Sequence, residues 1–123
     1  MSRTYRLYLN DILKAIEKID RYTQDIEIEV FKADDMRVDS VLHNLMIIGE
    51  AVKNIPDDVR EKEPEVRWRD IGRFRDRVVH HYFAIDLDII WEIVQDHLPP
   101  LLDYVTQLLE EEENNDDLSP SGE

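Results

Sequence analysis

The chain has no cysteine, only three glycines in 123 residues, and no long apolar run. Without cysteine it can form neither disulfides nor thiolate metal sites and nucleophiles, which points to a reducing compartment. So few glycines leave few places for tight turns, and long helices with charged outer faces fit that composition best. The first residues, Met1 to Ile16, interrupt their apolar positions with arginine, asparagine, aspartate and lysine. No stretch approaches the ~18 apolar residues of a membrane span. A signal peptide and membrane anchor are therefore not expected, and the expected location is cytoplasmic.

What the chain has in abundance is charge: 36% of residues are charged and the formal net charge is −14. That sign argues against nucleic acid, whose binding rests on lysine and arginine neutralising phosphates. The distribution changes the picture. From Glu110 to Glu123 there are seven acids and no base, half of the net charge in one tail. From Arg60 to His81 seven bases outnumber five acids, and this only net-basic stretch also carries the histidine pair His80 and His81.

Apolar residues at steps of three and four mark amphipathic helices. Tyr5, Tyr8, Leu9, Ile12, Ile16 and Ile19 form the first. Residues 23–35 alternate briefly like a strand at Ile26, Ile28 and Val30, but so short a segment without a partner reads as a connector with at most one helical turn. Asp34 or Asp35 caps a second long helix through Val38, Leu45, Ile48 and Val52, which Pro56 stops. A short turn follows from Pro56 to Pro64. Trp68, Ile71, Phe74 and Val78 define a helix ending near His81, and Asp86 or Asp88 opens the last one, which Pro99 and Pro100 kink or split. The expected fold is all-α, an up-and-down bundle of four to five helices. Residues 1–112 form the single domain and 113–123 a disordered acidic tail.

The chemistry lies between Arg73 and Tyr82. On an ideal helix with Ile71 at zero, Phe74, Val78 and Tyr82 form the apolar stripe, and Arg75 falls inside it at about 40°. A guanidinium there keeps its charge, so it must meet a carboxylate such as Glu50 or line a cleft. Arg73, Arg77 and His80 lie on the outer face, with His80 about 140° from Arg75. The two share a site only if the helix loosens at its end, if the arginine reaches around, or if a second subunit supplies the facing residue. Tyr82 is either a packed core tyrosine or an accessible one. No histidine and acid stand at metal-ligand spacing on an inward face, so no metal and no cofactor are expected.

The run from Arg75 to Tyr82 is an arginine, four residues, a histidine, one residue and a tyrosine, with the polar Asp76 directly after the arginine. It resembles the motif of HepT-type toxins of the HEPN superfamily. Asp11, Ile12 and Leu13, then Asn44 with Ile47 to Ala51, and Trp68 with Asp70 and Ile71 are similar to the family's other signatures, so the resemblance covers about residues 3 to 110. It implies a HEPN-like helical bundle, a homodimer with a shared cleft, and metal-independent endoribonuclease activity. Arg75 and His80 would be catalytic, with Asp76, Arg77, His81 and Glu50 supporting. It further implies a toxin-antitoxin pair in which a minimal nucleotidyltransferase antitoxin transfers AMP to Tyr82. The competing implication is a non-catalytic HEPN module that binds a nucleotide and assists a partner nucleotidyltransferase.

Overall fold

The computed structural model describes residues 3–81 and 85–118. Its elements are α1 (Arg3–Thr23), α2 (Ile28–Ala33), α3 (Asp35–Lys53), α4 (Asp57–Glu61), α5 (Trp68–His81), α6 (Leu87–Glu92), a π-helical turn (Ile93–His97) and α7 (Leu98–Leu118). Among the described residues there is no strand, and the fold is an all-α bundle. α1 packs on α3, α3 on α5, and α1 also on α7. Their facing stripes form one core through Leu9, Ile12, Ile16, Leu45, Ile48, Ile71, Leu101 and Val105.

Local chemistry explains the element ends. α1 closes with the Thr23 hydroxyl donating to the Ile19 carbonyl, and Asp25 then takes the left-handed conformation at φ 60°. Aspartate tolerates that region better than most side chains. The connector is more helical than its alternation suggests. With no neighbouring strand its amides pair locally, Phe31 N–H to the Glu27 carbonyl, giving α2, and Phe31 is fully buried against Trp91. Asp34 caps α3 by accepting from Arg37 N–H, and Asp86 caps α6 by accepting from Asp88 N–H.

The last helix meets its two prolines by widening. Leu98 N–H bonds the Ile93 carbonyl five residues back, and the π-helical turn precedes Pro99 and Pro100 directly. Wider turns occur where a normal hydrogen-bond ladder cannot continue. α7 then runs to Leu118, past residue 112 where the sequence pattern places the end of the domain. The run Glu110 to Glu113 is made of good helix formers, and Glu112 is buried and ion-paired to Arg6 of α1 at 2.6 Å, which fastens this end to the bundle. Residues 119–123, the rest of the expected tail, lie outside the described residues.

Candidate functional site

The position of α5 is fixed at both of its contacts. At its start, Trp68 Nε1 donates to the Glu63 carbonyl at 3.0 Å and the indole stands edge-on to Tyr104 of α7, ring centroids 5.9 Å apart. The Tyr104 hydroxyl donates to the Val59 carbonyl at 2.7 Å, tying α4 to α7. At mid-length α5 meets α3 at Gly49. A Cβ built on Gly49 would lie 2.5 Å from the Arg75 Cβ and 3.3 Å from both the Arg75 Cγ and the Ile71 carbonyl. Only a residue without a side chain permits this approach. Sequence reasoning passed over Gly49, although a glycine inside a helical run is a signal of close packing.

That approach sets Arg75 on the seam between α3 and α5. Its Nε lies 3.3 Å from Glu50 Oε2 and its Nη1 donates to Asp76 Oδ1 at 3.2 Å. Asp76 Oδ1 also accepts from Lys53 Nζ at 2.5 Å. Four charged groups thus alternate across the seam, Glu50 and Lys53 from α3, Arg75 and Asp76 from α5. The Lys53 ammonium and then the Arg75 guanidinium hold the Asp76 carboxyl below the ordinary carboxylate range. The Arg75 side chain is 33% exposed and the Glu50 side chain 56%. The pair is therefore not a buried core ion pair, and both requirements read from the sequence are met together: Arg75 reaches Glu50 and lines a cleft. The cleft is a groove of about 320 Å³ between α1, α3 and α5, mostly apolar, with Tyr8, His43, Met46 and Ile47 among its walls.

The remaining candidates divide. Arg77 is exposed and lines a different groove, on the side of α5 facing α6, so it does not join Arg75. α5 stays α-helical through His81, so the helix does not loosen before that point and Arg75 and His80 leave its axis about 140° apart. The side chains of His80 and His81, and all of Tyr82, lie outside the described residues. Among the described residues no group of three or more histidines and carboxylates is placed to hold a metal ion.

Residues 12–108 match the model of the family described as Ribonuclease HepT-like, from mid-α1 to mid-α7 and across the Arg75 seam. The chain belongs to the HepT-like ribonuclease family. It is 42% identical to the "Probable ribonuclease HepT" of Thermococcus cleftensis over 82% of this chain and 92% of that protein. A "Putative RNase" of Methanocaldococcus jannaschii is 37% identical over 93% of this chain and 94% of its own length. A second protein of that organism, "Gamma-glutamylcyclotransferase and putative RNase", is 36% identical over 94% of this chain, which spans only 52% of it. No solved structure matches the chain. In this HepT-like chain the family match encloses Gly49, Glu50, Lys53, Arg75 and Asp76, the groups that build the seam.

Proposed function

We propose that this HepT-like protein is the toxin of a toxin-antitoxin pair, a metal-independent endoribonuclease controlled by AMP transfer onto Tyr82. The observation that carries the reading is Arg75, a half-buried guanidinium held from one side by carboxylates and open to a groove. An arginine so fixed presents its planar fork to phosphate oxygens with little further loss of side-chain freedom. RNA supplies its own nucleophile. The 2′-hydroxyl gives its proton to a base, an O2′–P bond forms, the P–O5′ bond breaks, and O5′ takes a proton from an acid. Arg75 offsets the charge that builds on the phosphate oxygens, and His80 is the side chain suited to exchange protons near neutral pH.

Because Arg75 and His80 leave one regular helix on different sides, the proposed site is shared. Arg75 of one copy faces His80 of another in a homodimer. AMP on Tyr82, two residues beyond His80, would add bulk and negative charge at that cleft. The proposed donor system is ATP with a minimal nucleotidyltransferase antitoxin.

Cleavage of a single-stranded RNA in EDTA by the wild type, Arg75→Ala and His80→Ala tests the reading. Activity in the wild type and its loss in both variants is expected; equal activity in all three, or none in wild type of unmodified mass, sinks it. Mixing the two inactive variants tests the shared site. Random exchange makes half of the dimers mixed, each with one intact site of two, so about a quarter of wild-type activity should return. No recovery after demonstrated subunit exchange would place both groups within one copy. Co-expression with the nucleotidyltransferase should add AMP-sized mass to the wild type and none to Tyr82→Phe.

A further inference from the structure

The outer face of α5 carries a feature that the Arg75 seam does not use. Between α5 and the α6–π-helical segment lies a groove of about 180 Å³ lined by Arg73, Phe74 and Arg77 on one side and Ile89, Ile93 and His97 on the other. Asp70 and Glu92 line it as well, and Asp70 is engaged by Arg67 at 2.7 Å. Arg73 and Arg77 are exposed, and neither has an ion-pair partner among the described residues. They contrast with Arg75, Arg67, Arg60, Arg37 and Lys53, each of which is paired to a carboxylate. Arg73 and Arg77 thus leave two unpaired guanidinium groups, four residues apart, beside one groove of a chain whose net charge is −14.

Two further observations fall on the same groove. His97 Nδ1 is sealed from solvent and has no hydrogen-bond partner in the protein, and a buried polar atom without one is uncommon enough to require a reason. His97 also ends the π-helical turn that precedes Pro99 and Pro100, and this turn sets it against the groove. The spacing is specific as well. Arg73 and Arg77 are four residues apart on one face, so their stems are separated by about 6 Å along the helix. That is the order of the step between neighbouring phosphates on a single strand. By helical register His80 continues the same stripe, less than a turn past Arg77.

We infer that Arg73, Arg77 and His97 form a phosphate-binding subsite for single-stranded RNA, holding two backbone phosphates next to the one that reacts. Each arginine contributes charge-assisted hydrogen bonds to phosphate oxygens, and the apolar floor of Phe74, Ile89 and Ile93 keeps that contact from full solvation. Specificity is not read here; backbone contacts position the strand. The subsite rests on the ribonuclease reading and adds the path of the substrate to it.

The test compares wild type, Arg73→Gln/Arg77→Gln, Arg73→Lys/Arg77→Lys and Lys14→Gln/Lys18→Gln, the last removing two exposed charges from α1. Binding is read with a 2′-O-methyl oligonucleotide that cannot be cleaved, cleavage with the matching RNA, and folding by thermal melting. The glutamine pair on α5 should raise Kd and KM together by about tenfold, as expected for loss of charged hydrogen bonds. It should also lower the slope of log Kd against log salt by about 1.4, the value for two single-strand phosphates. The lysine pair should keep the slope, and the α1 pair should keep both Kd and slope. A folded glutamine pair with wild-type KM and slope, or an equal loss in the α1 control, overturns the subsite while leaving the ribonuclease reading in place. A wild type that fails to cleave RNA overturns that reading, and the subsite with it.

Discussion

Gly49 and Gly72 face each other's helices across the same seam, yet alanine should have opposite consequences at the two. At Gly49 the added methyl would stand 2.5 Å from the Arg75 Cβ, an atom fixed to the backbone that cannot swing aside. Restoring ordinary carbon contact requires α3 and α5 to separate by about 1 Å. Overpacking of this kind costs about 1–3 kcal/mol, against which the better helix propensity of alanine returns about 1 kcal/mol. The net loss is about 1 kcal/mol, a fall in Tm of roughly 3–6 °C for a domain of this size. At Gly72 the new Cβ would meet only Lys53 methylenes at 3.7 Å, ordinary contact, so Gly72→Ala should gain about 0.5–1 kcal/mol.

Activity should separate the two variants further. A shift of about 1 Å at Arg75 moves the guanidinium relative to its substrate, and misplacements of that size cost up to about 100-fold in rate. RNA cleavage by Gly49→Ala should therefore fall far more than its stability, while Gly72→Ala should cleave at the wild-type rate. Thermal melting and initial cleavage rates, measured side by side, decide it. A Gly49→Ala protein that melts higher than wild type and cleaves normally would refute the argument that this close approach sets Arg75.

Two other predictions concern what holds α5 in place. Tyr104→Phe removes the hydroxyl that donates to the Val59 carbonyl and should destabilise by about 1 kcal/mol in denaturant unfolding, the net worth of one hydrogen bond; an unchanged midpoint would show that the α4–α7 tie contributes nothing. Asp76 has its carboxyl pKa lowered by Lys53 and Arg75, so its contribution is present above the unfolded carboxylate range and is lost as pH falls through that range to the folded value. The Tm difference between wild type and Asp76→Asn should accordingly be largest near neutral pH and vanish in acid, whereas a pH-independent difference would point to packing alone.

The helices were legible because their apolar period is long and regular: Ile12, Ile16 and Ile19 or Leu101, Val105 and Leu108 are buried as their spacing demands. The connector was less so. Ile26, Ile28 and Val30 alternate, but a period of two over five residues cannot decide between strand and helix, and the burial of Phe31 against Trp91 settles it through tertiary contact. α7 continues to Leu118 for a related reason. Composition marks Glu110 to Glu113 as solvated, while the partner that draws Glu112 inward, Arg6, lies at the other end of the chain. At the site, helical angles placed Arg75 in the apolar stripe, which required either a carboxylate such as Glu50 or a cleft, and the structure supplies both. Angles alone could not show that Gly49 makes room for Arg75, or that His97 closes a groove on the far side of α5, since both facts depend on which helices become neighbours.

The acidity of the chain bears directly on how it can handle RNA. Long-range steering of a polyanion toward a protein of charge −14 is unfavourable, so affinity has to come from contacts made within a Debye length, about 8 Å at physiological salt. A cation paired with a carboxylate is held in place by the structure, whereas an unpaired one beside a groove is available to phosphate. On α5 the two kinds are sorted by face. Arg75 is clamped against α3 and has its fork fixed before any substrate arrives, which suits the phosphate that reacts. Arg73 and Arg77 are unpaired and movable, which suits phosphates whose position varies as the strand enters. A helix that carried free arginines on both faces would bind RNA more tightly but without distinguishing the reacting phosphate from its neighbours; clamping one and freeing two assigns each phosphate its place.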